Sequence, residues 1–315
     1  MKKTAFLFPG QGAQFPGMGK DFYDNFEAAR EVFHRGNKAM DFDILSIIFE
    51  GSEEDLVQTE VTQPAVLLTS LAIYEVLKEN DIRPQVVAGL SLGEYSALVA
   101  AGALSLEEAL PLVQKRGLFM QEAVPAGKGT MAAIIGLERD RVEEACEEAA
   151  FKGVVQPANY NCPGQIVISG EVNAVNEAME KAREKGAGKI IELKVSAPFH
   201  CSLMEPAAEK LFPELKKVQL NKAQLPVVSN VSAENTTEPE AIRKALIQQV
   251  SNAVKWEDSI NNMINSGVEN FLEVGPGKVL TGFMKKISRN VKTFPVETFD
   301  AYRKVEESLL NDGGG

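Results

Sequence analysis

A chain of 315 residues, 44% hydrophobic and 24% charged, can bury a substantial core in one large domain or two smaller ones. Its net charge of −11 argues against a nucleic-acid partner, because neutralising phosphates needs clustered Lys and Arg. No stretch reaches the roughly 18 uninterrupted apolar residues of a membrane helix, and two histidines exclude a multi-histidine metal centre. No membrane partner and no metal are therefore expected. Cys146, Cys162 and Cys201 lack metal-ligand spacing and are odd in number, which suits a reducing cytoplasm.

In chain order, TAFLF (4–8) reads as a buried strand rather than a signal segment, since Pro9 and Gly10 follow at once. EAAREVFHRGNKAM (27–40) and PAVLLTSLAIYEVLKEN (64–80) carry helical periodicity, and VVAGL (86–90) is a second apolar strand. This βα alternation predicts a parallel sheet covered by helices on both faces. Beyond Gly127 the rhythm changes. GTMAAIIGL, RDRVEEACEEAA, GVVQPANYNCPGQIVISG, EVNAVNEAMEKAREKGA and KIIELKV follow one another as β, α, ββ, α and β, the ferredoxin-like order. PVVSNVSA and NFLEVGP then read as returning strands. The expected fold is a larger α/β-hydrolase-like domain formed by 1–126 and 197–315, with an inserted ferredoxin-like βαββαβ subdomain at 127–196. The cleft between them is the natural site.

Gly89-Leu90-Ser91-Leu92-Gly93 follows an apolar strand and opens a helical stretch, the pattern of a nucleophile elbow. A sharp turn there lifts Ser91 Oγ from the sheet and aims the N–H of Leu92 at a developing oxyanion. The serine needs a base. His200, in APFH at the end of the inserted unit, returns to the cleft, whereas His34 lies in a helical pattern that reads as surface. No Asp or Glu stands in an obvious strand-end position between Ser91 and His200, so a backbone or amide carbonyl is expected to orient the imidazole. GPGKVL (275–280) lacks the spacing of a phosphate-binding loop.

PGQGAQ (9–14), VTQPA (61–65), GLSLGEYSALVAAGAL (89–104), QKRGLFMQEA (114–123), ANYNCPGQIVISG (158–170), APFH (197–200) and FLEVGPGKVLTG (271–282) together resemble the malonyl-CoA:acyl carrier protein transacylases, acyltransferases of fatty acid and polyketide synthesis. The resemblance runs in order from Phe6 to about Ile287. It implies a cytoplasmic enzyme, a monomer, with Ser91 as nucleophile and His200 as general base and acid. It further implies an oxyanion hole from the N–H groups of Gln11 and Leu92, and a Gln249 carbonyl that orients His200. Arg116 would grip the malonyl carboxylate, with Gln63 lining the acyl pocket and Phe199 limiting it. The pattern Ser105…Glu108 is a capping box, so Arg116 lies well along a helix. Malonyl-CoA is then the substrate, phosphopantetheine arrives on acyl carrier protein, and no cofactor is tightly bound. A trans-acting polyketide acyltransferase, or a serine hydrolase or thioesterase acting on acyl thioesters, is the alternative. Leu90 stands where relatives often carry histidine, so a polar contact near the acyl group is expected to be missing. An acidic carrier protein also calls for a basic face on this acidic chain, and Lys278, Lys285, Lys286, Arg289, Lys292 and Lys189 are its candidates.

Overall fold

The structure is a computed structural model and describes residues 2–312. Among the described residues, ten strands form two sheets. The larger sheet contains β1 (Thr4–Phe8), β2 (Val86–Gly89), β7 (Val227–Val228), β8 (Asn235–Thr236), β9 (Asn270–Val274) and β10 (Lys292–Val296), in the order β10-β9-β1-β2-β7-β8. Its pairings are parallel except for β7 with β8. Side-chain alternation explains why both faces are buried. Phe6, Phe8 and Val87 point into one apolar cluster, while Ala5, Leu7, Val86 and Ala88 point into another. Such strands read as unbroken apolar runs because helices cover both sides.

The smaller sheet contains β3 (Gly129–Ile135), β4 (Val155–Cys162), β5 (Gln165–Glu171) and β6 (Lys189–Glu192), all antiparallel, in the order β4-β5-β3-β6. The period of two again sorts its side chains. Ala132, Ile134, Ile166 and Ile168 pack with Val142 and Val175 from its own two helices. Met131, Ala133 and Val167 face the other way and join the main core of the larger unit. Sequence periodicity therefore finds this sheet and the chain order of its elements, and the predicted α/β class with two sheets is what the chain adopts.

Two element boundaries differ from the sequence reading. The helix read as starting at Pro64 begins five residues earlier, as Thr59–Glu79. Its first turn is tied down by the Thr62 hydroxyl, which donates to the Gln58 carbonyl at 3.0 Å. PVVSNVSA shrinks to the two-residue β7, because Ser229 and Asn230 leave the sheet for a turn. Both shifts matter for the site. The first places Gln63 on a buried helical face, and the second places Asn230 beside Ser91.

Candidate active site

Ser91 sits at the end of β2 with φ +52°, just before the Gly93–Ala100 helix. The flanking glycines are required by contact rather than by their own dihedrals. A Cβ on Gly89 would lie 1.9 Å from the Gly93 carbonyl, and one on Gly93 would lie 2.1 Å from Phe8 O. Positive φ falls instead on Ser91 itself and on His200, at +61°. Left-handed backbone at two residues with a Cβ is unfavourable unless the surroundings enforce it. Here they do. Asn230 accepts from Ser91 N at 2.7 Å through Oδ1 and donates through Nδ2 to Gly89 O at 2.7 Å, clamping both sides of the elbow.

Ser91 Oγ lies 2.7 Å from His200 Nε2, and His200 Nδ1 lies 2.8 Å from the carbonyl oxygen of Gln249. A carbonyl only accepts, so Nδ1 carries the proton and Nε2 is left to take one from serine. Burial, reinforced by the positive charge of Arg116, holds the imidazole down to about 4. The imidazole is therefore neutral throughout the physiological range. His34, by contrast, is exposed and meets the Tyr23 hydroxyl at 3.2 Å.

Arg116 lies on the Leu106–Glu122 helix, whose first turn is capped by Ser105 accepting from Glu108 N. Only the Ser105 half of the expected capping box forms. The Glu108 carboxylate instead accepts from the Ser105 hydroxyl and from Gln219 N. The guanidinium is buried at 1% exposure. Nη1 donates to Gln63 Oε1 at 2.8 Å, and Nη2 donates to Gln249 Oε1 at 2.9 Å and to Ser91 Oγ at 3.1 Å. Among the described residues Nε, itself sealed from solvent, has no hydrogen-bond partner, and Nη1 keeps a second hydrogen beyond the one given to Gln63. A buried cation with unfilled donor capacity, touching the Ser91 hydroxyl, is built to receive an anion.

A cavity of about 790 Å³ brings together Gln11, Gln63, Leu90, Ser91, Leu92, Arg116, Phe199 and His200. Leu92 is the N-cap of the Gly93–Ala100 helix, which leaves its N–H outside the helical ladder. The Leu90 carbonyl closes the elbow onto Gly93 N at 2.9 Å, and its side chain packs against the apolar cluster that holds Ala5 and Leu7. A separate hollow of about 880 Å³, lined by Lys128, Glu171 and Glu209 among others, contains none of these residues. Among the described residues no group of His, Cys, Asp or Glu could hold a metal ion, and no helix is long and apolar enough to cross a membrane. All three cysteines are free and buried.

Residues 5–304 match the family described as acyl transferase domain. The malonyl CoA-acyl carrier protein transacylase of Bacillus subtilis (strain 168) is 51% identical over 297 residues, 94% of each chain. The chain belongs to the malonyl CoA-acyl carrier protein transacylase family. It is an acyltransferase. Solved transacylases agree closely with its backbone. The one from Clostridium perfringens is 47% identical with TM-score 0.96, covering 99% of this chain and 98% of that one. A malonyl-transacylase in complex with its type II PKS acyl-carrier protein is 40% identical with TM-score 0.95, covering 98% and 100%.

Sequence reasoning missed three parts of this transacylase site. Asn230, the elbow clamp, was hidden in a stretch read only as a strand. Glu94 is 1% exposed and accepts from Gln249 Nε2 and from Asn230 N at 3.2 Å. The side chain of Gln249, expected to matter only through its carbonyl, also reaches Arg116 and Ser91. A signal for Glu94 existed: it is the one charged residue in the apolar run from Val86 to Leu104.

Proposed function

We propose that the protein transfers the malonyl group of malonyl-CoA to the phosphopantetheine thiol of acyl carrier protein, through a malonyl ester of Ser91, in fatty acid biosynthesis. The observation that carries this reading is the buried Arg116, which lines the cavity and donates to the Ser91 hydroxyl. Ser91 Oγ gives its proton to His200 Nε2 and attacks the thioester carbonyl. The tetrahedral oxyanion is held by the N–H groups of Gln11 and Leu92. The C–S bond breaks and coenzyme A leaves with the proton from His200. In the second half the carrier thiol gives its proton to His200 and attacks the Ser91 ester, returning the hydroxyl.

Acylation also changes what Arg116 sees. An ester oxygen accepts more weakly than a hydroxyl, so the hydrogen that Nη2 gave to Ser91 is released. Together with the second hydrogen of Nη1, whose first goes to Gln63, it offers the malonyl carboxylate two donors. Phe199, 8% exposed at the cavity wall, bounds the acyl group. The βαββαβ segment 127–196 serves as an inserted subdomain between 1–126 and 197–315. Its support is its own sheet and helix-packed core.

Incubation with malonyl-CoA, followed by peptide mass spectrometry, is expected to place a malonyl adduct on Ser91 that Ser91→Ala lacks. Rapid release of free malonate without any carrier protein would favour a hydrolase instead. For carrier docking, Lys285 and Lys286 are exposed in the last turn of the Val279–Ile287 helix, with Lys286 donating to Gln165 Oε1 at 3.2 Å at the β4–β5 turn. Charge reversal of both is expected to slow transfer to carrier protein at low salt while sparing Ser91 loading. Unchanged transfer would remove this helix from the docking face.

A further inference from the structure

The side chain of Gln249 occupies a position where its orientation decides whether Arg116 is supported or opposed. Its Nε2 donates to Glu94 Oε2 at 2.6 Å and to Ser91 O at 3.0 Å, with Asn230 Oδ1 at 3.4 Å. Its Oε1 accepts from Arg116 Nη2 at 2.9 Å. One end of the amide thus meets only acceptors, and the other meets a donor that cannot accept. Rotating the amide by 180° would set its oxygen against a carboxylate and a carbonyl, and its NH2 against a guanidinium. Ser91 O also accepts from Glu94 N and Asn230 Oδ1 from Ser91 N, so Glu94 Oε2, at the shortest distance, is the principal acceptor for the amide.

We infer that Glu94 is a positioning residue that fixes the Gln249 amide with its oxygen toward Arg116, and through it sets the preference for malonyl over acetyl groups. This rests on the transacylase reading and adds to it a buried carboxylate that touches neither substrate. Glu94 lies in the first turn of the Gly93–Ala100 helix, three residues after the nucleophile, with its side chain sealed from solvent. Asn230 N also donates to Glu94 Oε2, so the elbow clamp and the Arg116 support share one carboxylate oxygen. Burial pushes the Glu94 carboxyl up to about 7, opposed by the bonds from Gln249 and Asn230 and by the charge of Arg116. Both protonation states retain an acceptor oxygen, so the acceptor rather than the charge does the orienting.

The test is the ratio of initial Ser91 loading rates with malonyl-CoA and acetyl-CoA, followed by intact-protein mass spectrometry on the full chain. Glu94→Ala is expected to lower the malonyl-to-acetyl ratio about tenfold, and Glu94→Gln, which keeps an acceptor there, to hold it within about threefold of wild type. Gln249→Leu keeps the backbone carbonyl that orients His200 and is expected to lower the ratio by a similar factor. Adding Glu94→Ala to Gln249→Leu should then change the ratio no further. A folded Glu94→Ala with the wild-type ratio, or losses that multiply in the double variant, would overturn the inference. Should Glu94→Ala fail to fold, an unchanged ratio in Gln249→Leu overturns it equally. Absence of malonyl loading in the wild-type protein would sink the transacylase reading instead, which keeps the two failures distinct.

Discussion

His200→Ala is expected to slow malonyl loading of Ser91 by about 10³-fold or more, with Ser91 still in place, because the only group able to take its proton is gone. The geometry leaves no substitute. Ser91 Oγ contacts His200 Nε2 and Arg116 Nη2, and a guanidinium does not accept a proton. The same geometry predicts an unusual pH profile. A base with the ordinary histidine value near 6.5 would lose about tenfold in rate between pH 7.5 and 5.5. Burial and Arg116 place His200 at about 4, so its neutral fraction stays nearly complete over that range. Loading should then be almost flat from pH 7.5 to 5.5 and fall only below about 5. Glu94, at about 7, titrates within the same window, so the profile is best read in Glu94→Gln, where that titration is absent. A tenfold fall centred near 6.5 in that variant would show that the imidazole is more solvated than its 4% exposure implies.

The parts of this molecule that could be read from sequence are those governed by local rules. Strand alternation and helical periodicity depend on neighbours two to four residues apart, so β1, β2 and the βαββαβ unit stand out in the chain. Ser91 is legible because the glycines on either side are needed within a single turn. His200 is legible because only two histidines exist and one lies in a surface helical pattern. The roles of Gln11, Gln63, Arg116 and Gln249, by contrast, came only from resemblance to a family. Asn230 and the Gln249 amide could not be found by either route, and Glu94 stood out only as the one charged residue in its apolar run. Their contacts join residues 136 to 155 positions apart, as in Asn230 with Glu94 and Gln249 with Glu94. Buried polar networks become visible only when every donor and acceptor is followed in space. Leu90 shows the complementary limit. The contact its carbonyl makes in closing the elbow is open to any residue type, so the elbow itself carries no signal of what stands at that position.

Arg116→Ala should reduce malonyl loading of Ser91 by about 10²- to 10⁴-fold, consistent with losing two charge-assisted hydrogen bonds of roughly 1.5–3 kcal/mol each. Acetyl loading should fall far less or rise, because an acetyl group leaves the wild-type guanidinium buried without a carboxylate. That burden vanishes with the alanine. The selectivity ratio, rather than either rate, is therefore the diagnostic quantity. Arg116→Lys sharpens the argument. An ammonium keeps the charge but lacks the planar fork, and it cannot serve Gln63, Gln249 and substrate from the positions held by Nη1 and Nη2. Its ratio should lie between alanine and wild type. If Arg116→Lys matched wild type, charge alone would set the preference and the two glutamines would be packing residues. If Arg116→Ala retained the wild-type ratio, the carboxylate would have to be recognised elsewhere in the cavity. Among the residues brought together there, Arg116 is the only cation that touches Ser91, so malonyl preference should disappear with it.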